Sequence, residues 1–228
     1  MSVVLKTENL TKSYRDGEIT VDVIHNINLE LQKGDFVSIQ GASGAGKSTL
    51  LSILGAILLP DSGTVTVNGK SLTQYKNEGR LHEYRKQHIG FIFQNHYLLP
   101  DFTAVENVMM SLLIRGEKRN SAREKSIEVL EKVGLKERIN HYPSQLSGGE
   151  SQRVAVARAV VHKPDIVLAD EPTGNLDSNN TQKFIRILQD LQKTNQLTVL
   201  VVTHEAELAA VAGRKYFMKD GKLLDAPH

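Results

Sequence analysis

Eight residues, Gly41-Ala42-Ser43-Gly44-Ala45-Gly46-Lys47-Ser48, constrain this chain more than any other stretch. They fit the pattern G-x-x-x-x-G-K-[ST] without a mismatch, which average composition produces by accident in about one chain of this length in a hundred. Glycines and small side chains let the backbone curl until successive N–H groups point inward at one anion. Phe36–Gln40, just before the loop, is a short apolar run that reads as a strand, and a helix is expected to start near Lys47. That helix would aim the positive end of its dipole at the same anion. In such a loop the lysine, Lys47, reaches the β- and γ-phosphates of a nucleotide, and the hydroxyl of Ser48 is a ligand for Mg²⁺. A glycine-rich turn without a ligand is the plainer alternative, but it does not call for the strand before and the helix after.

The rest of the chain supplies an α/β frame for that loop. Val3–Leu10 and Val21–Leu31 alternate apolar and polar residues as half-buried strands do, with a turn at Arg15-Asp16-Gly17-Glu18. Ser48–Leu58 reads as a buried helix stopped at Pro60, and Thr64–Val67 as a strand closed by Asn68-Gly69. Ile89–Phe93 reads as a buried strand. From about Thr103 the pattern turns helical, with Glu106–Ile114, Ala122–Val133 (C-capped by Gly134) and a helix from about Ser151 to His162. Strand and helix then alternate again through Ile166–Ala169, Thr181–Gln192, Leu197–Val202, a short helix from Glu205, and Tyr216–Met218. This order predicts a mostly parallel sheet covered on both faces. With 228 residues the chain suits one domain: an α/β core formed by 1–94 and 159–228, and an inserted helical subdomain over 95–158.

Composition narrows the partners. A formal charge of +2 is too small to argue for nucleic acid, and none is expected. The absence of cysteine removes disulfides, thiolate metal sites and thiol catalysis. Met1–Lys6 lacks the features of a secretory signal, and the longest uncharged stretches, Ser48–Pro60 and Gln87–Pro100, fall short of the roughly 20 residues a membrane span needs. Any membrane role is therefore expected to run through a partner.

Two further constellations carry chemistry. Ile166-Val167-Leu168-Ala169-Asp170-Glu171 is a strand ending in two carboxylates. Ligands of open α/β sheets sit beyond the carboxyl ends of the strands, which puts both acids near the phosphates. Asp170 suits Mg²⁺ binding through water, and Glu171 suits orienting or deprotonating an attacking water. Alternatively, the pair caps the turn Pro172-Thr173-Gly174. Leu146-Ser147-Gly148-Gly149-Glu150 opens the third helix and presents a second glycine-bearing helix N-terminus, suited to a second anion. That anion is either a further ligand or the nucleotide of another copy.

The Leu-Ser-Gly-Gly run before the Asp-Glu strand resembles the ABC-transporter ATPases, and the resemblance covers roughly residues 3–225. It implies a P-loop NTPase (RecA-like) core with an antiparallel β-subdomain and an inserted helical subdomain. It implies ATP held by Tyr14 stacking on adenine and by Gly41 through Lys47, Ser48 and Thr49. Gln94 matches the Q-loop glutamine, a Mg²⁺ and water contact; Gly174-Asn175-Leu176-Asp177 matches the D-loop; His204 matches the switch histidine. Glu171, His204 and Gln94 are then the catalytic set, and Ser147, Gly148, Gly149 and Glu150 act on the ATP of the opposite subunit in a homodimer formed on ATP binding. Taken singly, Tyr14, Gln94 and His204 would read as ordinary surface, strand-end or capping residues. Glu150 and the run Ala169–Asp177 are similar to a narrower group: lipoprotein-releasing ATPases, macrolide and peptide exporters, and a cell-division ATPase acting as a membrane scaffold. His96–Val108 resembles the lipoprotein-releasing members most, although Ser151 stands where that group often has Arg. Gln40 also departs from the apolar residue usual before the loop. The implied setting is a peripheral subunit on the cytoplasmic face of the inner membrane, docking a permease near Gln94–Val108. ABC proteins of DNA repair or translation carry two cassettes or a long coiled coil, and neither fits this length.

Overall fold

The computed structural model describes residues 2–17 and 19–225; Glu18 of the expected turn lies outside the described residues. Strands β1 (Val3–Asp16) and β2 (Ile19–Gln32) form a long antiparallel hairpin. β1 runs well past the expected Leu10, and β2 starts slightly before the expected Val21 and ends just after Leu31. In the added arm Tyr14, Arg15, Gly17, Ile19 and Thr20 are exposed, so it carries no apolar alternation to be read.

Strand β3 (Phe36–Gln40) leads through the glycine-rich loop into α1 (Lys47–Leu54). The helix ends four residues before the expected Leu58, because the Gly55 amide turns back onto the carbonyls of Leu51 and Ile53 and Ala56 adopts a left-handed φ of 54°. β4 (Ser62–Val67), β5 (Lys70–Ser71), α2 (Leu72–Asn77) and α3 (Leu81–His88) follow. The two helices have no counterpart in the sequence reading. Between them they bury only Leu72, Tyr75 and Tyr84, too few for a periodic apolar stripe.

β6 (Ile89–Phe93) then gives way to the helical segment. It contains α4 (Ala104–Leu113), started by a capping box between Thr103 and Glu106; α5 (Arg119–Lys132), with Gly134 just past its end; and α6 (Gly148–Val160). α6 starts one turn before the expected Ser151. The cause was visible locally: Ser147 and Glu150 have the S-x-x-E spacing of a capping box, and both of its hydrogen bonds form. The chain closes with β7 (Ile166–Asp170), α7 (Ser178–Asn195), β8 (Thr198–Val202), α8 (Ala206–Ala210), β9 (Arg214–Lys219) and β10 (Lys222–Asp225).

Two sheets result. The antiparallel one has the order β2-β1-β4-β5, and the other β10-β9-β3-β8-β7-β6, parallel except for β9–β10. Alternation along the central strands divides the core. Val167, Ala169, Val199 and Val201 face α6, α7 and the helical segment. Ile166, Leu168, Leu200 and Val202 face α1 and the antiparallel sheet. All eight are wholly buried, and each Val, Leu or Ile contributes about 1.5–3 kcal/mol relative to exposure. That two-sided packing holds the carboxyl ends of β3, β8, β7 and β6 side by side. Gln40 occupies the last rung of β3, opposite Phe217 on β9.

Candidate functional site

The loops leaving those four strand ends meet in one cleft of about 640 Å³. Tyr14, Gly41, Ser43, Gly44, Gly46, Lys47, Ser48, Thr49, Gln94, Glu171 and His204 line it, together with Val23. Val23 was missed by the sequence reading, because an apolar residue in an alternating strand carries no mark of a ligand. Ala42, which is exposed, and Ala45, which is buried, are not part of the lining; the Ala45 amide donates to the Ala42 carbonyl at 3.2 Å.

The glycine-rich loop is shaped by its neighbours. A Cβ on Gly41 would stand 2.2 Å from the carbonyl oxygen of Met218, so only glycine fits where the loop leaves β3 beside β9. Gly46 caps α1 without a side-chain bond, and no acidic residue sits in the first turn. The first-turn amides therefore keep their capacity for an anion in the cleft. Lys47 is almost buried, and its Nζ donates to the carbonyls of Gly41 and Ala42 at 2.9 Å each. The ammonium is thereby held over the loop.

Opposite it stands Glu171. Its backbone adopts φ 44°, a left-handed conformation costing about 1–3 kcal/mol for a residue with a side chain. The strain is held by its amide donating to Val202 O at 2.9 Å and its carbonyl accepting from Gly174 N at 3.1 Å. The side chain is oriented as well: Oε2 accepts from the His204 amide at 3.1 Å and lies 2.8 Å from His204 Nδ1. A carboxylate fixed in this way faces the lysine and the helix N-terminus across the cleft.

Asp170 lies beneath rather than on the cleft wall. Burial pushes its carboxyl above the ordinary carboxylate range, against the opposing pull of a hydrogen bond from Ser48. Its Oδ1 is buried without a hydrogen-bond partner. Gln94 is exposed, and its Nε2 donates to Asn175 Oδ1 at 3.3 Å; Asn175 Nδ2 returns a bond to Gln94 O at 3.3 Å. Thus the segment after β6 is tied to the segment after Glu171.

None of Ser147, Gly148, Gly149 or Glu150 lines this cleft. Ser147 is the N-cap of α6: its hydroxyl accepts from the Glu150 amide at 3.2 Å, and Glu150 Oε2 accepts from the Ser147 amide at 2.8 Å. Glu150 also receives Arg138 Nε at 2.8 Å. The cap bonds hold the Glu150 carboxyl below the ordinary carboxylate range, with the Arg138 bond adding to the effect. The first-turn amides of Gly148 and Gly149 have no intrahelical acceptor. The α6 N-terminus thus presents the Gly148 and Gly149 amides away from the chain's own cleft.

In the segment expected to dock a partner, Val105 is buried and Leu98 packs against the core, whereas Tyr97, Leu99 and Phe102 are exposed at 66%, 40% and 37%. No described helix is long and apolar enough to cross a membrane.

Comparison with known proteins meets this geometry at residues 24–174, which match the ABC transporter family. Over 222 residues the chain is 47% identical to the lipoprotein-releasing system ATP-binding protein LolD of Psychrobacter arcticus, covering 97% of this chain and 98% of that protein. Among solved structures it is similar to the dimeric bacterial ABC transporter cassette MJ0796, with a TM-score of 0.88, 39% identity and 96% of each chain covered. The post-hydrolysis state of that cassette bound to ADP and Pi superposes with a TM-score of 0.88 at 37% identity, covering 98% of this chain and 99% of the other.

Proposed function

Because this chain belongs to the ABC transporter family, we propose that its ATPase cycle drives a separate membrane permease, and that the work done is release of lipoproteins from the inner membrane. The observation that carries the cargo assignment is the 47% identity to LolD over nearly the full length of both chains. The chain is an ATPase, and the cleft supplies the parts. Loop amides and the α1 N-terminus bind the phosphates, Lys47 neutralises the β- and γ-oxygens, and Tyr14 with Val23 takes the base. Glu171, steadied by His204, orients and deprotonates the attacking water, with Gln94 contacting the same region when the γ-phosphate is present.

Mg²⁺ fits the oxygen donors present. Ser48 and Gln94 would hold it directly and Asp170 through water, which gives the unpartnered Asp170 Oδ1 a use. The ion supplies charge neutralisation between the phosphates.

The position of the Ser147–Gly149 turn outside its own cleft supports a composite site. Two copies meet head to tail on ATP, and Ser147, Gly148, Gly149 and Glu150 of one copy close over the nucleotide of the other. This matches the dimeric state of the similar cassette MJ0796. Mixing a Ser147→Arg variant with a Lys47→Ala variant is then expected to restore up to one working site per heterodimer. Heterodimers that form and stay wholly inactive would rule the shared site out.

The permease is proposed to seat a short cytoplasmic helix on the exposed apolar side chains Tyr97, Leu99 and Phe102, since groove docking rests on a few apolar anchors. The subunit is then peripheral, on the cytoplasmic face. Leu98 and Val105 belong to the core, so charge at Leu98 would test packing rather than docking. In proteoliposomes containing the permease, acylated lipoprotein should stimulate ATP hydrolysis, and Phe102→Glu should remove the stimulation while leaving basal hydrolysis. Stimulation by a macrolide or peptide instead of lipoprotein would overturn the cargo; unchanged stimulation in Phe102→Glu would move the dock elsewhere.

A further inference from the structure

Gln152 is wholly buried, one turn into α6, yet it is a polar side chain in the middle of a packed core. A buried amide left unpaired is destabilising because its lost hydration is not replaced, so its partners matter. Both hydrogens of its Nε2 are used: one goes to Pro172 O at 2.5 Å, the other to Phe93 O at 3.3 Å. Its Oε1 accepts from His96 Nδ1 at 2.5 Å. Phe93 is the residue before Gln94, and Pro172 the residue after Glu171. Phe93 and Asp170 are the last paired rung of β6 and β7. The Gln152 amide therefore bridges the two strands one step beyond the sheet, where backbone pairing has ended and the two functional side chains project.

The same helix holds the far side of the Gln94 segment. Arg158 donates to His96 O and Tyr97 O at 2.7 Å each. Its N-terminal turn is pressed on the start of α7: a Cβ on Gly149 would stand 2.5 Å from Asn180 Oδ1. Ser147 is the N-cap of α6, so the Ser147 turn and the amide that joins both segments lie little more than one turn apart on the same helix.

We propose that Gln152 is a positioning residue that sets Gln94 and Glu171 against each other and couples their placement to engagement of the Ser147 turn by the nucleotide of the second copy. The inference rests on the roles given to Gln94 and Glu171 above. Gln152 is not among the residues lining the cleft, so its replacement should leave ATP binding alone. Misplacing a reacting group by about 1 Å can cost about 10²-fold in rate. Gln152→Leu keeps much of the volume but removes all three bonds. Its kcat is expected to fall about 10²-fold, with the Kd for ATP within about twofold and the cooperativity of turnover in ATP lost. His96→Phe, at a half-buried position, removes one of the bonds and should lower kcat by a smaller factor, again at unchanged Kd. The double variant should be no slower than Gln152→Leu, because both changes break one network.

A folded Gln152→Leu with parental kcat and cooperativity overturns the proposal, and so does a loss of kcat matched by an equal loss of ATP affinity. Should Gln152→Leu fail to fold, parental kcat in His96→Phe overturns it. Glu171→Gln measured alongside separates the two readings: turnover at the parental rate there removes the catalytic assignment and this inference with it. An inactive Glu171→Gln beside a fully active Gln152→Leu removes this inference alone.

Discussion

Glu171→Gln is expected to bind ATP as tightly as the parent chain and to hydrolyse it about 10²–10⁴-fold more slowly, the usual cost of removing a positioned general base. The substitution is nearly isosteric. The Gln side-chain carbonyl can still accept from the His204 amide, which reaches Glu171 Oε2 at 3.1 Å in the parent. The left-handed backbone at φ 44° is held by main-chain bonds to Val202 and Gly174 that the change does not touch. Only the capacity to take a proton is lost. Binding should persist because the phosphate contacts proposed above come from Gly41–Thr49 and not from Glu171. Once hydrolysis is blocked, the ATP-bound head-to-tail dimer should accumulate and elute at twice the monomer mass on gel filtration with ATP. Calorimetry and single-turnover hydrolysis measure the two halves of the expectation. Hydrolysis near the parental rate would transfer the base role, first to His204, whose Nδ1 lies 2.8 Å from the Glu171 carboxylate.

Lys47→Ala acts on the opposite wall and should nearly abolish both binding and turnover. Its ammonium is held by the carbonyls of Gly41 and Ala42, within reach of any phosphate seated on the loop. Truncating one member of a hydrogen-bonded charge pair in a desolvated site costs about 2–5 kcal/mol, a loss of roughly 30- to 5,000-fold in Kd. The two carbonyls also lose their donor, so thermal unfolding of the variant has to be followed beside calorimetry. A folded variant with unchanged ATP affinity would sink the phosphate-loop assignment. The pair of substitutions therefore divides the cleft by function: one wall is expected to control affinity and the other the chemical step.

The parts legible in the sequence share a physical cause. Phe36–Gln40 and Ile89–Phe93 occupy the strand limits read from their residues. Interior β3 and edge β6 are both covered on both faces, which demands a near-continuous apolar run that loop residues then interrupt. The phosphate loop was legible because its chemistry is local: a backbone that must curl, followed at once by a lysine and a helix start. Asp170 and Glu171 were legible as carboxylates ending a strand, but Tyr14, Gln94 and His204 only through family resemblance, since singly they are ordinary polar or surface residues.

Other features depend on burial patterns that a local reading does not capture. α2 and α3 bury one or two side chains each, and the outer arm of the β1–β2 hairpin buries almost none, so neither leaves a periodic trace. Leu98 and Phe102 look alike as apolar loop residues; one packs on the core and the other faces outward. Glu150, read in the sequence as a mark of the narrower group, closes a capping box with Ser147 and receives Arg138. The capping spacing was there to read, but the arginine partner was not.

What the amino-acid sequence by itself determined is the set of chemical parts and their order along the chain, because periodicity, turn chemistry and loop spacing act over a few residues. Only the tertiary structure decided which parts meet. Gln152 was not singled out in the sequence. Its hydrogen bonds run to Phe93, 59 residues away, and Pro172, 20 residues away. Those carbonyls come within reach of one amide only because the two-sided core sets β6 beside β7 and lays α6 across their ends.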